Sequence, residues 1–175
     1  MHITAKRIDA MKKALAISAC AVLVLAGYFA LRGGARPAPE VIFVTLQGEK
    51  ITTAGLRGKV AIVNFWATDC VPCRKEMPKL VQTYERYRGQ GLELIAVAMR
   101  HDPPNYVLQY TERNRLPFKV ALDPLGEIAR AFGDVRVTPT LVVIDRRGRI
   151  VEQVQGEPDF PALHRLLERG LAAAA

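Results

Sequence analysis

Hydrophobic positions fall into three patterns along the chain. The first is a block: Ala14–Leu31, ALAISACAVLVLAGYFAL, carries no charge. As a helix it spans roughly 27 Å, just enough for a hydrocarbon core of about 30 Å. The second pattern is a pair of nearly unbroken apolar runs, Val60–Trp66 and Leu92–Met99. Such runs predict strands buried on both faces. The third is helical: Met77, Leu80, Val81 and Tyr84 recur at i, i+3, i+4 and i+7. They predict a helix to about Arg88, kinked at Pro78 and ended by Gly89. Further helices are predicted over Asn105–Arg115, Pro124–Phe132 and Phe160–Leu171. Val41–Leu46 and Lys50–Thr52 flank Gln47-Gly48-Glu49 as a hairpin, and Leu141–Asp145 and Arg149–Gln155 flank Arg146-Arg147-Gly148 as a second. The order is β-α-β-α-β-β-α with an added N-terminal hairpin, an α/β layer architecture.

Charge divides the chain further. The 175 residues carry a net charge of +8. Lys6, Arg7, Lys12, Lys13, Arg32 and Arg36 face one acid, Asp9, within residues 1–36. Most of the basic character therefore sits in a leader, and the body shows no basic stripe interleaved with aromatics that would point to nucleic acid. Four basic residues precede the apolar block and two follow it, which puts the N-terminus in the cytoplasm and the body outside. The expected organisation is a cytoplasmic leader (1–13), a transmembrane signal-anchor (14–31), a linker (32–40, RGGARPAPE) and one domain (41–175). Cleavage at Gly33-Gly34-Ala35 is the alternative, and Arg32 and Arg36 count against it. Ile17-Ser18-Ala19-Cys20 resembles a lipobox, yet the apolar run continues to Leu31 where a lipoprotein turns polar.

Three cysteines are too few for a disulfide scaffold. Two of them, Cys70 and Cys73, stand where the first buried strand gives way to a helix. A helix N-terminus carries partial positive charge and unpaired N–H groups, so a sulfur there is held as thiolate, the nucleophilic form. Cys73 lies one turn further in, close enough to close a small ring. Pro72 suits the first turn, where a missing N–H costs nothing. Zinc needs four ligands, or three with water, and the body offers only this pair besides the distant His101 and His164. A catalytic redox pair is the reading, with no cofactor beyond the redox-active disulfide. His101 and Asp102 read as a loop pair, because no third partner of a metal site or triad is evident.

Asn64-Phe65-Trp66-Ala67-Thr68-Asp69-Cys70-Val71-Pro72-Cys73-Arg74-Lys75-Glu76-Met77-Pro78 resembles the active-site segment of thioredoxin-fold disulfide reductases. More narrowly it resembles the membrane-anchored TlpA/ResA/CcmG group. Phe132-Gly133, Val137-Thr138-Pro139-Thr140 and Val143-Ile144-Asp145 are similar to its second signature. The resemblance implies a thioredoxin-like fold over about residues 40–170. It implies that Cys70 attacks, that Cys73 resolves the mixed disulfide, and that Pro139 is a cis-proline facing them. Thr138 is then the extended backbone that pairs with a substrate strand. Pro72 joins that substrate surface, and Trp66 is a lid beside the sulfurs, its alternative being core packing. Glu76, three residues after Cys73, is the proton-handling acid with raised affinity; an exposed first-turn glutamate is the alternative. Ordinary thioredoxins bury an acid two residues before the Trp, and here Asn64 stands in that place.

The resemblance implies a single-pass protein of the bacterial inner membrane with its domain in the periplasm. Its substrate is a disulfide-containing exported protein, as in cytochrome c maturation or copper-site assembly. Its electrons come from a membrane thiol donor of the CcdA/DsbD kind. Two other functions occur on related folds. A thiol peroxidase requires Pro-x-x-x-Thr/Ser-x-x-Cys, but Val63 and Ala67 occupy those positions before Cys70. A copper(I) carrier uses two thiolates, with Cys-x-x-x-Cys plus His expected.

Overall fold

A computed structural model describes residues 35–173. The expected leader and apolar span lie outside these residues. Among the described residues no helix is long and apolar enough to cross a membrane.

Eight strands form one mixed sheet: β1 (Arg36–Pro37), β2 (Ile42–Thr45), β3 (Lys50–Thr52), β4 (Val60–Trp66), β5 (Leu92–Ala98), β6 (Lys119–Leu122), β7 (Thr140–Ile144) and β8 (Arg149–Gln155). Their spatial order is β1-β8-β7-β4-β5-β6-β2-β3. β4, β5 and β6 run parallel, as strands joined by helical crossovers do. β7 lies antiparallel on the other side of β4, pairing Phe65 with Thr140. Among the described residues four α-helices flank the sheet, α1 (Val71–Tyr87), α2 (Pro104–Arg113), α3 (Glu127–Ala131) and α4 (Phe160–Ala172), with short 3-10 turns at Ala54–Leu56 and Arg88–Gln90.

Alternation along β4 sorts the interior into two layers, because successive side chains point to opposite faces. Val60, Ile62 and Trp66 join Met77 and Leu80 of α1, Val107 of α2 and Leu163 and Leu167 of α4. Ala61, Val63 and Phe65 join Phe43, Ile128 and Phe132. All seven residues of β4 are buried, which is why the strand reads as one apolar run.

Several boundaries differ from the sequence expectation. Arg36 and Pro37 pair antiparallel with Ile150 and Arg149, and Ala38 is buried with its N–H donating to Gly148 O at 2.9 Å. The domain therefore begins within the segment expected as linker, ahead of Val41. β6 was not expected either; it takes its place from β5 and β2 on its two sides. α1 runs from Val71 to Tyr87 with Pro78 on its exposed side. The left-handed residue that ends the segment is Gly91, at φ +97°, rather than Gly89.

Candidate active site

The site grows from the C-terminal end of β4, at the centre of the sheet. The chain leaves Trp66, crosses Ala67–Asp69 and enters α1 at Cys70. Cys70 is the residue that caps the helix: its backbone is extended (φ −76°, ψ 104°), and its Sγ accepts from the Cys73 N–H at 3.3 Å. Cys70 and Cys73 are joined as a disulfide, with Cα atoms 5.3 Å apart. Cys73 is wholly buried while Cys70 is partly exposed. An incoming sulfur therefore meets Cys70 first. When the bond is reduced, the unpaired N–H groups of the first turn favour thiolate at Cys70.

A carboxylate clamps the approach loop. Asp102 is buried and accepts from the Thr68 N–H at 2.6 Å and from Thr68 Oγ1 at 2.5 Å. His101 lies 3.7 Å from Asp69 through Nε2. The two residues are thus not partners of each other. Asp102 turns inward to hold the segment before Cys70, because β5 ends beside β4 and delivers it there. Nothing in the local sequence marks that role.

The Thr138–Pro139 bond is cis. β7 pairs with β4 up to Phe65–Thr140, so the proline loop and the cysteine loop leave neighbouring strands at the same end of the sheet. Pro139 is buried, and its carbonyl accepts from the Gly156 N–H at 2.8 Å. Thr140 Oγ1 donates to Val137 O at 2.7 Å, fixing the other flank. The Thr138 N–H and C=O take no partner among the described residues. Pro72, Val71 and Val137 are exposed around these loops and make an apolar surface.

Glu76 has no exposed surface, which removes the reading of a solvated first-turn glutamate. Burial pushes its carboxyl up to about 7. The Asn64 amide opposes that rise, Glu157 adds to it and Lys79 reduces it. Among the described residues neither carboxylate oxygen reaches hydrogen-bond geometry with a neighbour, and the same holds for both amide atoms of Asn64 and for Trp66 Nε1. A buried carboxyl near 7 is divided between acid and base at neutral pH, the state that proton transfer requires.

Trp66 corrects an expectation. It is wholly buried, with its ring 5.1 Å from that of Tyr110, and it belongs to the same apolar layer as Cys73. It is core packing, the alternative reading, and it has no exposed surface with which to cover the sulfurs or meet an incoming substrate.

The Redoxin family matches residues 34–167 of the chain. The thiol-disulfide oxidoreductase ResA of Bacillus thuringiensis subsp. konkukian is 34% identical over 137 residues, 77% of this chain and 76% of the relative. ResA of Halalkalibacterium halodurans is 37% identical over 128 residues, 71% and 72% of the two chains. A crystal structure of a thiol:disulfide interchange protein of the thioredoxin family from Chlorobium tepidum superposes with a TM-score of 0.72 at 30% identity. That alignment covers 79% of this chain and 98% of the other. A helix-capping Cys-x-x-Cys disulfide, a cis-proline on the next strand and matches across most of the domain thus place the chain in the TlpA/ResA/CcmG-like group of thioredoxin-fold proteins, as a thiol-disulfide oxidoreductase.

Proposed function

We propose that the protein is a membrane-tethered reductase facing the periplasm, and that it opens disulfides in exported proteins. The observation that carries this reading is Glu76, buried on α1 one turn beyond Cys73. Opening a substrate disulfide requires the buried Cys73 thiol to lose its proton before it attacks, and a carboxyl near 7 accepts that proton at neutral pH.

In the reduced protein Cys70 attacks the substrate disulfide. One substrate sulfur bonds to Cys70, and the other leaves as thiolate and takes a proton. Glu76 then takes the proton of Cys73, which attacks Cys70 Sγ. The Cys70–Cys73 bond forms and the second substrate sulfur departs. Two electrons have moved to the substrate, leaving the disulfide seen here. A membrane thiol donor of the CcdA/DsbD kind restores the dithiol. The open backbone groups of Thr138 support pairing with an extended substrate segment. The uncharged block at Ala14–Leu31, with basic residues before it, supports the tether. Apocytochrome c before haem attachment and copper-site proteins before metallation are substrates of the required kind.

The reduction potential of the Cys70–Cys73 pair against glutathione tests the direction. A value well below about −200 mV fits a reductase, and one near −120 mV makes the protein an oxidant. Cys70→Ser abolishes disulfide reduction; full activity in that variant would remove the mechanism. Alkaline extraction of membranes from cells expressing the full chain tests the tether: the protein stays in the pellet.

A further inference from the structure

A cavity of about 410 Å³ is lined by residues that neighbour both loops of the site. His101 and Arg136 stand on its wall. The first lies against Asp69, the residue before Cys70. The second is two residues before Thr138. The remaining charged groups of the wall are Arg100, Arg130 and Asp134, so three arginines face one acid.

The arginines are not neutralised by that acid. Asp134 pairs with Arg136, whose side chain is 81% exposed. An exposed pair of this kind is worth less than about 1 kcal/mol, so an incoming carboxylate readily takes Asp134's place. Arg100 and Arg130 form no ion pair among the described residues. Arg130 spends one nitrogen on Leu125 O at 3.0 Å. Both side chains lie over Gly126, where a β carbon would sit 3.3 Å from Arg100 Cδ and 3.6 Å from Arg130 Nη1. The glycine thus leaves room for both side chains on the same wall of the cavity. An anion in the cavity would find cationic side chains that no other acid neutralises.

The surface around the sulfurs is different. Val71 and Val137 are about half exposed, and Lys79 is paired with Glu157 at 2.5 Å. Arg74 and Lys75, exposed on the first turn of α1, also form no ion pair among the described residues. Each stands on an open surface, whereas Arg100, Arg130 and Arg136 share the wall of one cavity, with Arg136 close to Thr138 in the sequence.

We propose that this cavity holds acidic side chains of the substrate protein, so that the preferred disulfide has Asp or Glu about two to four residues from the attacked cysteine. This rests on the reading of Thr138 as the strand that receives the substrate. An extended chain advances about 3.3 Å per residue, so those residues reach past Thr138 to Arg136 and the cavity beyond it.

The test uses the pre-reduced full chain and three peptides with one disulfide each, flanked by Asp and Glu, by Ser and Asn, or by Lys. Uncharged 2-hydroxyethyl disulfide is the fourth substrate. At low ionic strength kcat/KM is about tenfold higher for the acidic peptide than for the neutral one, and lower still for the basic one. The gap narrows as salt is raised to about 0.5 M. Arg100→Glu and Arg136→Glu each remove most of the preference and leave the rate on 2-hydroxyethyl disulfide unchanged. Equal kcat/KM on the three peptides, or a preference that survives both reversals, overturns the subsite while the exchange mechanism stands. Inactivity on all four substrates overturns the exchange mechanism, and the subsite with it.

Discussion

The two faces of β4 enclose interiors of opposite character. On one, Phe65 meets Phe132 edge-on at 5.6 Å and Phe43 stands 6.3 Å from Phe132. Polar burial there is satisfied: Asp123 accepts from the N–H groups of Ile128 and Ala129 at 3.1 and 2.9 Å. On the other face, Asn64 and Trp66 alternate with those residues along the same strand and look toward α1. The five buried side-chain atoms without a partner among the described residues all belong to Asn64, Trp66 and Glu76. A partnerless buried polar group costs about 1–3 kcal/mol. The face carrying the disulfide thus gives up stability that the opposite face supplies. The cost is confined to the layer in which a proton must move.

That contrast is broken most strongly from the apolar side. Phe65→Ala lowers the unfolding free energy by about 3–5 kcal/mol in urea, through lost transfer energy and the cavity left among Phe43 and Phe132. Asn64→Leu, one residue earlier, leaves the unfolding free energy at about pH 5 unchanged or raises it by about 1 kcal/mol, because Glu76 there keeps its proton and the amide has no hydrogen-bond partner among the described residues. A loss at Asn64 equal to that at Phe65 would erase the distinction between the faces.

Glu76→Gln is the next largest effect, and it depends on pH. The carboxyl goes from 4.5, its ordinary value, to about 7 in the fold. The folded state therefore binds more protons than the unfolded one between those values. Stability falls as pH rises from about 4.5 to about 7 and levels off above. The total loss reaches about 3 kcal/mol. Glu76→Gln abolishes this slope, so the variant is the more stable protein at pH 8 and differs little at pH 4. The disulfide-exchange rate of the variant loses its inflection near 7. Parallel stability curves for the two proteins would show that Glu76 ionises freely in the fold.

The physical origin of each feature decides how legible it was. β4, β5 and α1 were readable because their patterning is local: seven apolar-rich residues in a row, or a repeat at helical spacing. β6 was not, since Lys119-Val120-Ala121-Leu122 is short and opens on a charge; its burial comes from β5 and β2, distant in sequence. Arg36 and Pro37 read as linker because only the edge of β8 makes them a strand. At the site, spacing put Cys70, Cys73 and Glu76 on one helix start. The cis form of Pro139 rested on the family resemblance alone, since few X–Pro bonds are cis. The depth of Glu76 and Trp66 depends on which face of β4 meets α1. The inward turn of Asp102 depends on two parallel strands ending side by side. No local pattern encodes either arrangement.

Asp102→Ala sharpens the comparison at the loop. It removes the acceptor for the N–H and the hydroxyl of Thr68. The expected loss is about 2 kcal/mol of stability, the range for bonds to a charged acceptor. Amide exchange at Thr68 quickens while the cores keep their protection. Asp102→Asn retains one acceptor oxygen and recovers part of the loss. Equal destabilisation by both variants would mean that the charge, not the acceptor, holds the loop.

The smallest effect comes from the exposed rim and separates burial from charge at Glu76. Lys79 and Glu157 pair in solvent, so Glu157→Gln changes stability by no more than about 0.5 kcal/mol. Both charges still reach Glu76, with opposite signs: Glu157 raises its proton affinity and Lys79 lowers it. Glu157→Gln therefore moves the inflection near 7 downward, and Lys79→Met moves it upward. Raising the salt concentration shrinks both displacements, because exposed charges are screened. The larger elevation that survives in salt belongs to burial beneath α1. If neither variant moved the inflection, burial alone would set the acidity of Glu76, and the rim would play no part in when Cys73 gives up its proton.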